Sequence, residues 1–161
     1  MVTIFNKVDI SEFSKIEQLL SKITIAKKSI TSNRGDFPKG HRAITFGMVK
    51  GRFNGITQLS YFSKKHPLLY EEILRIGKII CPFEFDKIHL NNNVICPPHY
   101  DSKNVGNSLL ISFGNYEGCN IVIEDVVYDA KYTPIVFNGS LLKHWNTTDL
   151  SGNKYSLVYY K

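Results

Sequence analysis

His99, Tyr100 and Asp101 place a histidine and a carboxylate two residues apart. In an extended segment, side chains at i and i+2 leave the same face, so both donors can reach one ion. His144 supplies a second imidazole from a separate run much later in the chain. Two imidazoles and one carboxylate on one face of an octahedron leave three positions open. That suits a non-haem Fe(II) that must also bind a co-substrate and dioxygen. Spacing alone leaves other assignments open, because H-x-D is a common tripeptide: His99 could be a surface turn residue, and His144 could be packed beside Trp145. Beyond His144 come Lys154, Tyr155 and Ser156. A cation and a hydroxyl there could hold the far carboxylate of a keto-diacid whose other end chelates the metal, through charge-assisted hydrogen bonds. The competing assignment is an exposed lysine.

These residues need a scaffold, and the hydrophobic pattern suggests one. Ile10, Phe13, Ile16, Leu19, Leu20 and Ile23 recur at helical spacing and predict a helix over 10–23, with Asp9 or Ser11 available as its cap. A second helix is predicted from Pro67 to Ile80. It has proline at its first position, Glu71 and Glu72 early, Lys78 late, and Leu69, Ile73, Ile76 and Ile80 along one face. Ser32 to Arg42 reads as a loop and 43–49 as a strand. From Phe83 onward, short β-branched and aromatic runs alternate with Gly, Asn, Asp and Pro. Strands are predicted at 85–91, 108–113, 120–124, 135–138, 141–145 and 155–160. Six short strands after two helices imply a helix-backed β-sandwich or barrel rather than a parallel α/β sheet.

At 161 residues the chain has the size of a single domain, expected to span 1–161. A content of 43% hydrophobic and 21% charged residues argues against disorder. No apolar run is long enough to span a bilayer. Nor does the N-terminus show the basic, apolar and small-residue order of a secretion signal, so an intracellular protein, cytoplasmic or nuclear, is expected. Cys81, Cys96 and Cys119 are odd in number and lack a C-x-x-C pair, which disfavours a disulfide framework or a structural zinc site. Between Lys22 and Lys65 there are ten Lys or Arg residues against one acid, Asp36. Such an excess attracts polyanions, so nucleic acid is the expected partner, with a solvated basic face as the alternative. Phe37, Phe46, Phe53, Tyr61 and Phe62 interleave with these cations and could stack on a base or belong to the core.

The run Asn91-Asn-Asn-Val-Ile-Cys-Pro-Pro-His99-Tyr-Asp101-Ser-Lys-Asn104-Val-Gly-Asn-Ser108 resembles the N-x-N, H-x-D, N-x-G-x-S signature of the TET and J-base-binding oxygenases, the nucleobase-oxidising branch of the 2-oxoglutarate oxygenases. Phe113 to Gly118 is similar to the glycine turn between their core strands, and Lys154 to Tyr160 to their last strand. The resemblance covers about residues 85–160. It implies an α+β protein with a double-stranded β-helix core, jelly-roll or cupin-like, backed by N-terminal helices. It also implies Fe(II), 2-oxoglutarate and dioxygen as cofactor and co-substrates, and His99, Asp101 and His144 as catalytic metal ligands. Lys154, Ser156 and Asn91 would contact 2-oxoglutarate, while Asn104 and Ser108 would brace the loop. Lys154 replaces the arginine usual in that branch; it keeps the charge but lacks the bidentate fork. An arginine of the first half, Arg34, Arg42 or Arg52, is the alternative clamp. The implied reaction is oxidation of a C–H bond, on a methylated base of DNA or RNA, with base flipping needed inside a duplex. A protein hydroxylase acting on prolyl or lysyl side chains and a non-catalytic binding module are the competing functions.

Overall fold

The computed structural model describes residues 1–25, 42–51 and 54–161. The predicted loop before Arg42, the aromatics Phe37 and Phe53, and the cations Lys27, Lys28, Arg34, Lys39 and Arg52 lie outside them. In chain order the elements are β1 (Thr3–Ile4), a 3-10 turn (Ile10–Phe13), α1 (Ser14–Leu20), β2 (Arg42–Lys50), β3 (Thr57–Leu59), α2 (Tyr61–Lys65) and α3 (Pro67–Ile80). Then follow β4 (Lys87–Asn92), β5 (Ser108–Phe113), β6 (Tyr116–Glu117), β7 (Ile121–Ile123), β8 (Val126–Tyr128), β9 (Ile135–Phe137), β10 (His144–Asn146), β11 (Ser151–Gly152) and β12 (Tyr155–Tyr160).

Seven strands form one antiparallel sheet in the order β1-β9-β5-β12-β4-β2-β3. Alternation along the central strands sends successive side chains to opposite faces. Ile88 and Leu90 of β4, Leu109, Ile111 and Phe113 of β5, and Leu157 and Tyr159 of β12 share a core with Phe13, Ile16 and Leu20 of the N-terminal turn and helix and with Leu69, Ile73 and Ile76 of α3. The Tyr159 hydroxyl, fully buried, donates to the Ile73 carbonyl at 2.7 Å and ties sheet to helix. The other face carries His89, Asn91, Ser108, Leu110, Ser112, Ser156, Val158 and Tyr160, all lining a single cavity. A smaller sheet, β10-β7-β8, lies across from it, and Ile121 and Ile123 of β7 pack with Ile135 and Phe137 of β9.

The α+β class stands, but the double-stranded β-helix, jelly-roll or cupin-like, is not formed: among the described residues no sheet closes into a barrel. Beyond β10 the small sheet continues only as an isolated bridge, His99↔His144. The residues before His99 are Pro97 and Pro98, which have no amide N–H to extend a ladder. β6 and β11 pair only with each other, as a two-stranded ribbon.

Other expectations shift by residues. The predicted helix 10–23 begins as a 3-10 turn, with Asp9 accepting from the Ser11 amide at 2.9 Å, and its α-helix ends at Leu20. The strand predicted at 141–145 starts only at His144, because Asn138 holds a turn. Its side chain accepts from the Ser140 amide, and its carbonyl from the amides of Leu141 and Leu142. No helix among the described residues is long and apolar enough to cross a membrane.

Candidate metal centre

Reciprocal backbone hydrogen bonds join His99 and His144, amide to carbonyl, at 3.0 and 3.1 Å, and the Asp101 amide donates to the Gly139 carbonyl at 2.8 Å. Two chain segments distant in sequence are thereby locked side by side at the cavity wall. Each imidazole is oriented by its own backbone: His99 Nδ1 lies 2.7 Å from the Pro97 carbonyl oxygen, and His144 Nδ1 lies 2.8 Å from that of Leu142. A carbonyl only accepts, so both Nδ1 atoms carry the proton and both Nε2 atoms present lone pairs. Those Nε2 atoms lie 3.6 and 3.2 Å from the two Asp101 carboxylate oxygens. One donor atom from each residue falls within 4.8 Å of the others.

Metal–ligand bonds of about 2.1 Å set adjacent donors on one ion about 3 Å apart, so the three side chains fit a single divalent cation. Two neutral imidazoles and a carboxylate on one side are the donor set suited to Fe(II). Phe137 meets the His144 ring edge to face at 5.0 Å and closes the apolar side.

Gly139 sets the approach of the ligands. A Cβ there would stand 2.7 Å from Asp101 Oδ2 and 3.2 Å from His144 Cε1. Gly139 has no positive φ, so its backbone accepts alanine and the conflict falls on the ligands. Gly139→Ala is expected to weaken Co(II) or Fe(II) binding by about 10- to 100-fold, like other changes that disturb ligand support. Metal titration checks this, with thermal unfolding of the metal-free protein little changed.

Lys154 lines the same cavity, 6% exposed. Its Nζ donates to the Cys119 carbonyl at 2.6 Å, touches Cys119 Sγ at 3.4 Å and lies 5.4 Å from the centre of the Tyr116 ring. Burial pushes the Tyr116 phenol well above its ordinary range, which keeps it a protonated donor beside the ammonium. Three asparagines fix the Lys154 backbone: Asn93 exchanges hydrogen bonds with it, Asn92 donates to its carbonyl, and Asn153 accepts from both. No carboxylate pairs with Lys154 among the described residues. Of the alternative clamps, Arg42 is exposed at the start of β2, and Arg34 and Arg52 lie outside the described residues. Arg75 binds Glu12 and Glu72 on the helical side. Asn91 and Ser156 face each other in register on β4 and β12. Asn104 donates to Ser108 at 3.4 Å at the other end of the cavity.

The sequence marks no site role for Cys119, Tyr116, Gly139, Asn92 or Asn153. The alternation of Lys87–Asn92 does place His89 on the face of Asn91, a signal available beforehand.

No sequence family and no curated protein matches the chain. Solved structures do, over nearly its whole length. NgTET1 in complex with 5mC DNA matches 99% of this chain and 71% of its own at 13% identity, with a TM-score of 0.65. A 2OG-Fe(II) oxygenase family oxidoreductase from Burkholderia pseudomallei matches 99% and 84% at 18% identity, TM-score 0.59. A Pseudomonas putida prolyl-4-hydroxylase matches 99% and 91% at 9% identity, TM-score 0.58. The fold is of the 2-oxoglutarate/Fe(II) oxygenase type. One of these structures was solved with DNA and another is a prolyl hydroxylase, so the oxygenase-type fold singles out no branch.

Proposed function

We propose that this protein is an Fe(II)- and 2-oxoglutarate-dependent oxygenase that oxidises a C–H bond of a methylated nucleobase. The observation that carries the reading is the pairing of two features in one cavity. One is a three-residue donor set able to hold a metal; the other is a buried ammonium with no carboxylate partner among the described residues. His99, Asp101 and His144 would hold Fe(II), which with 2-oxoglutarate and dioxygen supplies the power to oxidise an unactivated C–H bond while the keto acid leaves as succinate and carbon dioxide.

The chain's own part is binding and orientation. The backbone carbonyls of Pro97 and Leu142 keep the imidazoles in the ligating tautomer. Lys154 neutralises the distal carboxylate of the co-substrate, with Tyr116 and Ser156 alongside. Asn91 Oδ1 is buried and lacks a hydrogen-bond partner among the described residues, while Nδ2 reaches Ser156 Oγ only at 3.5 Å. A half-turn of this amide lets Ser156 donate to Oδ1.

A nucleobase is favoured by the sequence signature and by the basic segment Lys22–Lys65. Of its described members, Arg42, Lys50, Lys64 and Lys65 are exposed. Phe46 is core and stacks on Tyr70, Phe62 packs against the core, and Tyr61 is 66% exposed with Lys65 over its ring. The test is reconstitution with Fe(II) under argon, then air and 2-oxoglutarate with methylated oligonucleotides and prolyl or lysyl peptides. Mass spectrometry is expected to show added oxygen on the base. Oxygen gained only by a peptide would move the function to protein hydroxylation.

A further inference from the structure

Two lysines approach one aromatic ring. Lys154 Nζ lies 5.4 Å from the centre of the Tyr116 ring and Lys131 Nζ lies 4.9 Å from it. Lys131 Nζ also donates to the Tyr116 carbonyl at 2.7 Å. Tyr116 is 4% exposed and lines the cavity, yet its strand β6 belongs to neither larger sheet and pairs only with Ser151 and Gly152 of β11. Lys131, in contrast, stands on a fixed base. The Ser112 amide of β5 donates to the Ala130 carbonyl at 2.9 Å, the Ser112 carbonyl accepts from the Tyr132 amide at 2.7 Å, and Asp129 Oδ1 accepts from the Lys131 amide at 3.0 Å. No carboxylate pairs with the Lys131 ammonium among the described residues. A chain of contacts therefore runs from the central sheet through Lys131 to Tyr116 and on to Lys154.

We propose that Lys131 is a positioning residue for the co-substrate: it holds the Tyr116 ring against Lys154, so that the buried ammonium stays ordered for the distal carboxylate of the keto acid. This rests on the oxygenase reading above and adds to it a residue that does not itself line the cavity. The face of an aromatic ring is negative and attracts an ammonium, more strongly where water is excluded, as it is around the buried Tyr116 and Lys154. Lysine has a long flexible stem, and ordering it before the ligand arrives lowers the entropic cost of binding. The Cys119 carbonyl holds Lys154 Nζ at one point and the Tyr116 ring at a second. Lys131 fixes that ring twice, through the Tyr116 carbonyl and through its own charge.

The experiment is anaerobic titration of Fe(II)-loaded protein with 2-oxoglutarate and with 2-oxobutyrate, which has the same chelating end and no distal carboxylate. The proteins are the parent, Lys131→Met, Lys131→Gln, Lys131→Arg, Tyr116→Leu and the double variant Lys131→Met with Tyr116→Leu. Lys131→Met is expected to raise the Kd for 2-oxoglutarate about three- to tenfold and to leave that for 2-oxobutyrate within about twofold of the parent. Lys131→Arg, which keeps a cation for the ring and a donor for the carbonyl, recovers most of the loss. Lys131→Gln keeps a donor without the charge, shows the same selective loss in smaller measure, and carries the test if Lys131→Met does not fold. In the Tyr116→Leu background the Lys131→Met change has little further effect, because Lys131 acts through the ring. A parent-like Kd for 2-oxoglutarate in Lys131→Met and Lys131→Gln, an equal loss for both keto acids, or a full further loss in the Tyr116→Leu background overturns the role of Lys131 and leaves the oxygenase reading standing. A loaded parent that does not bind 2-oxoglutarate overturns that reading, and this inference with it.

Discussion

Alanine at any one of His99, Asp101 or His144 is expected to abolish stoichiometric Fe(II) binding, with apparent affinity reduced on the order of a hundredfold or more, since disturbing the support of a ligand alone costs 10- to 100-fold. A three-residue donor set has no spare member. The geometry sharpens this for Asp101, whose two oxygens face the two Nε2 atoms at 3.6 and 3.2 Å. Asp101→Glu should fail almost as completely, because an added methylene moves the carboxylate through the space the ion would occupy, and Gly139 shows how little room surrounds it. His99→Ala and His144→Ala remove a side chain but leave the backbone exchange between the two residues intact, so the variants should remain folded. Inductively coupled plasma analysis after anaerobic loading, with circular dichroism as the control for folding, checks all four. Full metal content in all the alanine variants would place the metal elsewhere.

Lys154→Ala is expected to raise the Kd for 2-oxoglutarate by about 30- to several-thousand-fold, the equivalent of roughly 2–5 kcal/mol for removing one partner of a desolvated charge pair. Metal binding should survive, because Lys154 is not a ligand. Lys154→Met, which keeps most of the volume without the charge, separates loss of charge from creation of a void and should weaken co-substrate binding nearly as much. Lys154→Arg is expected to fall between Met and the parent. The ammonium already sits 2.6 Å from the Cys119 carbonyl and beside Tyr116, so a larger planar head group has to displace one of them. Anaerobic titration of 2-oxoglutarate into Fe(II)-loaded protein gives all three constants. An unchanged Kd in Lys154→Ala would put the clamp on another cation.

The parts of this site legible in the sequence are those whose chemistry resides in side-chain type. His99, Asp101, His144 and Lys154 are recognisable because few residues can ligate a metal or carry a positive charge. The two central strands β5 and β12 appear at the predicted bounds because their alternation serves two faces, apolar toward α3 and polar toward the cavity. Backbone chemistry was not legible. The carbonyls of Pro97 and Leu142 that set the histidine tautomers, and that of Cys119 that receives Lys154, carry no mark of residue type. Gly139 matters for the absence of an atom. That no sheet closes among the described residues follows from pairing between distant segments and from a proline pair whose missing amides end a ladder, which local periodicity does not register. The late start of β10 has the same origin, since the Asn138 side chain competes for the backbone of the turn.

If the three ligands and Lys154 form one composite site, the metal and the keto acid bind together. Isothermal titration of 2-oxoglutarate under argon, into the parent protein with and without one equivalent of Fe(II), tests it directly. One equivalent of co-substrate is expected to bind to the loaded protein, with binding weakened in the metal-free protein and in Asp101→Ala. Failure of the loaded protein to bind 2-oxoglutarate, or equal affinity with and without the metal, would contradict the account.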